Sequence, residues 1–204
     1  MGISFYWLLK QFRRTFGIRK NWAGLVTILW GEKMEANEKG FAELVLYVSR
    51  KSEDDPRFGS TKLNKILFYA DFIHYGKTGR SITGAEYQRL EWGPAPRRLL
   101  PIQRELEEGD ALAIQKVEYH GRYQKRTVAL REPDLSSFSG EEIATVDGVI
   151  DDLWGANASD VSDLSHRLPS WQIAEENETI PYVSVFVSDR QLSQAEKDHA
   201  RVYA

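Results

Sequence analysis

The 204-residue chain contains no cysteine. Disulfide scaffolds, thiolate-bound zinc and thiol nucleophiles are therefore excluded at once. The absence fits a reducing compartment, and the chain is read as cytoplasmic. Histidine is scarce. His74, His120, His166 and His199 are the four, and none stands three or four residues from another, so no helical imidazole pair is available to a metal. No apolar run reaches the ~18 residues that a membrane-spanning helix needs. The G-x-S-x-G nucleophile elbow is missing. The string Gly76-Lys77-Thr78 resembles the end of a phosphate loop, but Asp71 occupies the position of the motif's first glycine, and the string follows a helix instead of opening one. Asp71 and His74 stand three apart, and a surface hydrogen bond at a helix end is the expectation for them. The chain is accordingly read as a non-enzyme with no cofactor and no metal site.

What is present is enough for a core. Hydrophobic residues make up 42% of the chain, above what a disordered chain carries, and the length suits one domain with an appendage. The net charge of −3 speaks against a dedicated nucleic-acid binder. Charge is uneven, however. Residues 1–34 hold six Lys and Arg against the single acid Glu32, a net +5 that leaves −8 for the rest. This basic, aromatic-rich block could be read as a transit-like or membrane-surface segment. A plainer reading is that "GEKM" at 31–34 translates a purine-rich ribosome-binding stretch, so that Met34 is the start and 1–33 an upstream mis-start. Three parts result: a basic extension over 1–34, a main domain over 35–187, and a polar tail over 188–204.

Periodicity places the elements. Phe41, Leu44, Val45 and Val48 make one face of a helix over 38–50. Residues 61–75 form the strongest helix, capped by Ser60 or Thr61, with Leu63, Ile66, Leu67, Ala70 and Ile73 inward and Lys62, Lys65 and Asp71 off the stripe. A strand is expected over 86–92. Pro101 delays the next helix to a start near 98–101, and Gly109 ends it. Strands over 112–119 and 123–130 suggest a hairpin. Ser139 and Glu142 form a capping box before Ile143, Val146, Val149, Ile150 and Leu153. Ser159 is expected to cap a short helix that Pro169 ends, and Ser193 with Glu196 to open another in the tail. The sum is an α+β fold: a helix-rich single domain of five or six helices with a small antiparallel sheet of about three strands.

The order of several pieces carries a resemblance. Lys62, Leu63, Lys65, Ile66, Leu67, Phe68, Tyr69 and Ala70 form a K-L-x-K-I-L-F-Y-A helix. A Thr78-Gly79-Arg80 turn follows, then Tyr87, a Gly93-Pro94 corner, Leu164-Ser165-His166, Trp171 and Ile180-Pro181-Tyr182. Over roughly 38–185 this resembles the Panacea domain, the SocA-like antitoxin domain of bacterial and phage-associated proteins. One departure is Arg97-Arg98, where the family often continues with an apolar residue. The resemblance implies neutralisation of a cognate protein toxin, encoded by the adjacent gene, by direct contact and without catalytic residues or cofactors. Family members pair with unrelated toxins, so the toxin's identity stays open. The partner contacts expected on this basis are Tyr69, Tyr87, Trp92, Gly93, Pro94 and Trp171. For Tyr69 and Trp171 core packing competes, and Trp92, beside a turn, is the better anchor. A DNA-binding regulator is the alternative. Its phosphate contacts would be Arg97, Arg98, Arg122, Lys125 and Arg126, with the 120–126 hairpin lying along the backbone.

Overall fold

A computed structural model describes residues 37–119 and 121–187. The expectations for 1–34, His120 and the 193–196 capping box lie outside these residues.

The chain enters through α1 (Glu38–Lys51), whose first amide row is satisfied by the Asn37 side chain accepting from the Gly40 N–H. Then comes α2 (Ser60–Thr78). Apolar residues occur on every side of this helix, and it is enclosed accordingly. It packs against α1, α4 (Gly140–Leu153), α5 (Ala158–His166), the 3-10 turn at Tyr182–Phe186 and the strand β2 (Ala95–Pro96). Gly59, not Ser60 or Thr61, is its N-cap, without a side-chain bond. The helix runs through Gly76 and stops at Gly79, where φ of 79° ends the helix in the left-handed conformation that glycine adopts freely.

Enclosure overturns the expected placement of the polar residues on α2. Lys62, Lys65 and Asp71 are all buried. Lys62 Nζ lies 2.6 Å from Asp55 Oδ2, an ion pair almost wholly removed from solvent. Asp55 also accepts from the Arg57 and Gly155 amides, so it joins the loop after α1 to the turn after α4.

The short strand β1 (Tyr87–Gln88) is the centre of a three-stranded antiparallel sheet in the order β2-β1-β5, with β5 at Thr179–Ile180. Tyr87 faces Pro96 on one side and Ile180 on the other. The expected strand over 86–92 is cut short because the chain turns: Gly93 N–H donates to the Leu90 carbonyl. Next come α3 (Leu99–Glu108) and a separate hairpin, β3 (Leu112–Tyr119) with β4 (Arg122–Ala129). Pro101 sits in the first turn of α3, where no intrahelical amide is needed. The hairpin does not join the first sheet; Leu112 and Ala129 anchor its base in the core.

The Ser139–Glu142 capping box opens α4 with both reciprocal bonds made. At α5 the cap is Asn157, not Ser159: its side chain accepts from the Asp160 amide at 2.9 Å. Pro169 begins the one-turn helix α6 (Pro169–Ile173) as well as ending what precedes it. The architecture is α+β: six helices among the described residues around α2, with two small antiparallel sheets. None of these helices is long and apolar enough to cross a membrane.

A candidate interaction surface at the 89–94 corner

The corner Arg89–Pro94 leaves β1, turns and re-enters the sheet as β2. Its backbone is tied down from three helices. The Trp171 indole Nε1 on α6 donates to the Leu90 carbonyl at 3.3 Å. His166 on α5 hydrogen-bonds the Glu91 backbone. Ser162 Oγ, a turn earlier on α5, donates to the Trp92 carbonyl at 3.1 Å. Lys65 Nζ on α2 donates to the Pro94 carbonyl at 3.0 Å. Four of five consecutive residues thus have their backbone held by side chains distant in sequence.

Glycine at 93 is required twice. Its φ of 95° is a conformation that other residues resist. A Cβ there would stand 2.2 Å from Ser165 Oγ and 2.6 Å from Lys65 Cε. Beneath the corner the indole of Trp171 stacks on His166 with ring centroids 4.0 Å apart, and Arg89 Cζ lies 4.3 Å from the Trp171 ring centre. Lys65, buried with no carboxylate beside it, has its pKa pulled down to about 7 by burial. His166 is lowered as well, by burial first and by the neighbouring Lys65 second.

With its backbone pinned inward, the corner turns one large side chain outward. Trp92 is 65% exposed. Gly93 and Pro94 are buried beneath it, and Trp171 is half-buried in the clasp. Tyr69 and Tyr87, also expected as partner contacts, lie in the core at 1% exposure each, which leaves them no surface to offer a partner. Tyr87 packs edge-on against Phe68 and Phe72, and its hydroxyl donates to Asp71 at 2.7 Å.

Asp71 is a second node. It accepts from the Ile82 and Thr83 amides at 2.9 Å and from Thr83 Oγ1 at 2.6 Å. Its carboxylate therefore folds the 81–83 loop back onto α2. Burial pushes its pKa up, against the hydrogen bonds from Thr83 and Tyr87 that hold it down. The expected surface bond to His74 does not form. Both residues are buried, and Asp71 points to the loop.

Three of the five expected phosphate contacts are engaged by other residues of the chain. Arg97 donates to Gln88, Asn177 and Thr179. Arg98 pairs with Glu38 at 2.8 Å. Arg126 donates to the Glu53 and Asp55 carbonyls. Each fastens one strand or helix to a neighbour, a use of arginine's several donors that spacing alone does not reveal. Lys125 is exposed opposite Lys116 on β3. Arg122 stands at the start of β4, beside the hairpin tip. In the open groove lined by Ser49, Glu53, Gln115 and Arg126, Arg126 donates to the Glu53 backbone carbonyl, while the Glu53 carboxylate lies 3.6 Å from Arg50 Nη1. Among the described residues no cluster of three His, Asp or Glu could hold a metal.

Ser162, Arg89 and Asp71 escaped the sequence reading as contributors. For Asp71 the available signal was a polar residue inside an otherwise all-round apolar helix, since such a residue needs buried partners. Lys65, Gly93-Pro94, Ser165-His166 and Trp171, scattered over more than 100 positions, meet at one place. Residues 63–172 match the family model of the antitoxin SocA-like Panacea domain, a span that opens just before Lys65 and closes just after Trp171. No curated protein and no solved structure matches the chain. The match covers more than half of the sequence, and the chain belongs to the antitoxin SocA-like Panacea domain family.

Proposed function

We propose that this protein is the antitoxin of a toxin–antitoxin pair and neutralises its toxin stoichiometrically, by direct contact centred on Trp92. The family supports an antitoxin-type role. The observation that carries the location is the exposure of Trp92 on a corner whose backbone is held rigid by Lys65, Ser162, His166 and Trp171. A large aromatic on a pre-ordered backbone loses little entropy on binding, and such residues dominate interface energetics. Nothing in this role calls for converging ionisable groups at the surface. The toxin is expected to be the product of the adjacent gene, in the cytoplasm.

Co-expression tests it. The adjacent gene alone should arrest growth, and this chain should restore it and co-purify with the product. A harmless neighbour with nothing co-purifying defeats the reading. The DNA-binding alternative loses support once Arg97 and Arg126 are held on backbone carbonyls and Arg98 is paired with Glu38 at the surface. A salt-dependent shift of its own promoter DNA, lost on charge reversal at Arg122 and Lys125, would restore it.

A further inference from the structure

The hairpin has one open side. Among the described residues β3 pairs with β4 and with no other strand. The Leu130 amide donates to the Ala111 carbonyl at 2.9 Å. Bonded and non-bonded pairs alternate along an antiparallel ladder. Ala113, Gln115 and Val117 therefore bond to β4, while Leu112, Ile114, Lys116 and Glu118 turn their backbone groups outward. The two outer edges are treated unequally. On β4 the Lys125 carbonyl accepts from Ser60 Oγ at the start of α2. On β3 the Glu107 carboxylate of α3 accepts from the Ile114 amide at 3.0 Å, as a neighbouring strand's carbonyl would. Past Ile114 no described residue bonds the outer backbone of Lys116 or Glu118.

Charge ordinarily guards such an edge against pairing. Lys116 and Glu118 lie on one face of the hairpin, both exposed, and neither is in an ion pair among the described residues. Within the hairpin Lys116 stands opposite a second lysine, Lys125, an arrangement that costs stability. Its Nζ rests over the Tyr123 ring, 4.1 Å from the ring centre. Against a second, antiparallel β3 the pattern becomes complementary. With a two-fold axis through Val117, Lys116 faces Glu118 of the second copy, and Glu118 faces Lys116 of that copy. These residues all turn their backbone groups outward, so each such pair also exchanges both N–H···O=C bonds. Val117 meets its own copy on the other face, a β-branched cross-strand pair. A slip of two residues either way sets Lys116 against Lys116 or Glu118 against Glu118, so the charges fix the register.

We propose that two copies of this chain pair through β3, antiparallel about Val117, into one continuous sheet held by reciprocal Lys116–Glu118 ion pairs. Lys116 then exchanges its place over Tyr123 for a carboxylate. An edge-to-edge contact of this size makes a weak dimer that forms at high protein concentration. No residue of the Trp92 corner takes part, and the pairing does not depend on the antitoxin reading.

Sedimentation of the full chain over a concentration series tests this. Lys116→Glu and Glu118→Lys each make both ion pairs repulsive and should weaken self-association about tenfold or more. Thermal melts of the dilute variants check that each is folded. Lys116→Glu/Glu118→Lys exchanges the charges and should restore the dimer. An equimolar mixture of the two single variants should also associate, because every pair across the axis is then complementary. A wild-type chain still monomeric at ~1 mM overturns the proposal. So does a dimer that the single variants leave unchanged, or one that the exchange fails to restore. The adjacent gene's product is measured in parallel. If wild type is monomeric and binding of that product is lost in Lys116→Glu, the edge seats the other protein; self-pairing then falls while the antitoxin reading stands.

Discussion

Lys65 Nζ lies 3.0 Å from the Pro94 carbonyl oxygen, 1% exposed, with no carboxylate in pairing distance. The neighbouring lysine one turn earlier, Lys62, is equally buried but holds Asp55 at 2.6 Å. The same helix therefore buries one compensated ammonium and one that relies on a neutral acceptor.

The uncompensated charge makes stability depend on pH. Burial lowers the Lys65 pKa from 10.5 to about 7. Between those values the unfolded chain holds a proton that the folded chain has released. The contribution of Lys65 to stability therefore rises as pH increases from about 7 to about 10, by up to ~1.4 kcal/mol per pH unit. Lys65→Met keeps the stem and removes the ammonium. It should raise the melting temperature at pH 7 and flatten the pH dependence, although the Pro94 carbonyl loses its donor. Neutralisation should fall, because the corner is held less firmly. Thermal melts of both proteins at pH 7 and 9.5 check this; parallel pH dependences would show that the ammonium is not desolvated.

Much of this arrangement was legible from residue spacing and some was not. The helices followed from apolar periodicity and caps: the Ser139–Glu142 box opened α4 as expected, and Pro101 fixed the start of α3. The hairpin's independence from the first sheet was not visible, because β2 and β5 are two residues long and carry no alternation. On α2 a stripe was assigned where none exists, since a helix enclosed on all sides buries its polar residues too. For the site, Trp92 and Trp171 were nameable from their motifs. Sequence already favoured Trp92 as the outward one, from its place beside a turn; what it could not convey is what holds that orientation. That is decided by Trp171 reaching the Leu90 carbonyl and Ser162 reaching that of Trp92.

Gly93 should tolerate no side chain. Gly93→Ala combines a positive φ with a Cβ 2.2 Å from Ser165 Oγ. The backbone strain alone is about 1–3 kcal/mol. Denaturant unfolding should show a loss of at least that size. Ser165→Gly in the same chain relieves the clash with Ser165 but leaves the one with Lys65 Cε at 2.6 Å and the conformational part, so the double variant should recover some stability but not all. Full recovery would mean that φ is unstrained, and no recovery would mean that the contact is harmless.

The buried Asp55–Lys62 pair gives an asymmetric set of variants. Asp55→Asn leaves the Lys62 ammonium buried without its counter-charge, and a loss of about 3–5 kcal/mol follows. Lys62→Met leaves Asp55 with the Arg57 and Gly155 amides and should be milder. The Asp55→Asn/Lys62→Met double variant should be more stable than Asp55→Asn alone, since the stranded charge is gone. A double-mutant cycle from urea unfolding measures this. Additive losses would show that the two groups do not depend on each other.

Trp92 and Trp171 separate surface from scaffold. Trp92 is 65% exposed and is bonded to Ser162 through its backbone carbonyl, so Trp92→Ala leaves that bond in place. Its effect on unfolding free energy should stay within about 0.5 kcal/mol, the range of ordinary surface substitutions. Trp171 supports the corner through its indole N–H and stacks on His166. Trp171→Ala should destabilise by about 2–4 kcal/mol, as the removal of a packed aromatic does. Neutralisation in the co-expression assay is then the deciding readout. Trp92→Ala should abolish it in a chain that melts like wild type. Trp171→Phe keeps most of the stacking while losing the bond to Leu90, and should reduce neutralisation in proportion to how far the corner loosens. If Trp92→Ala neutralises fully, the toxin sits elsewhere and the corner serves the fold alone.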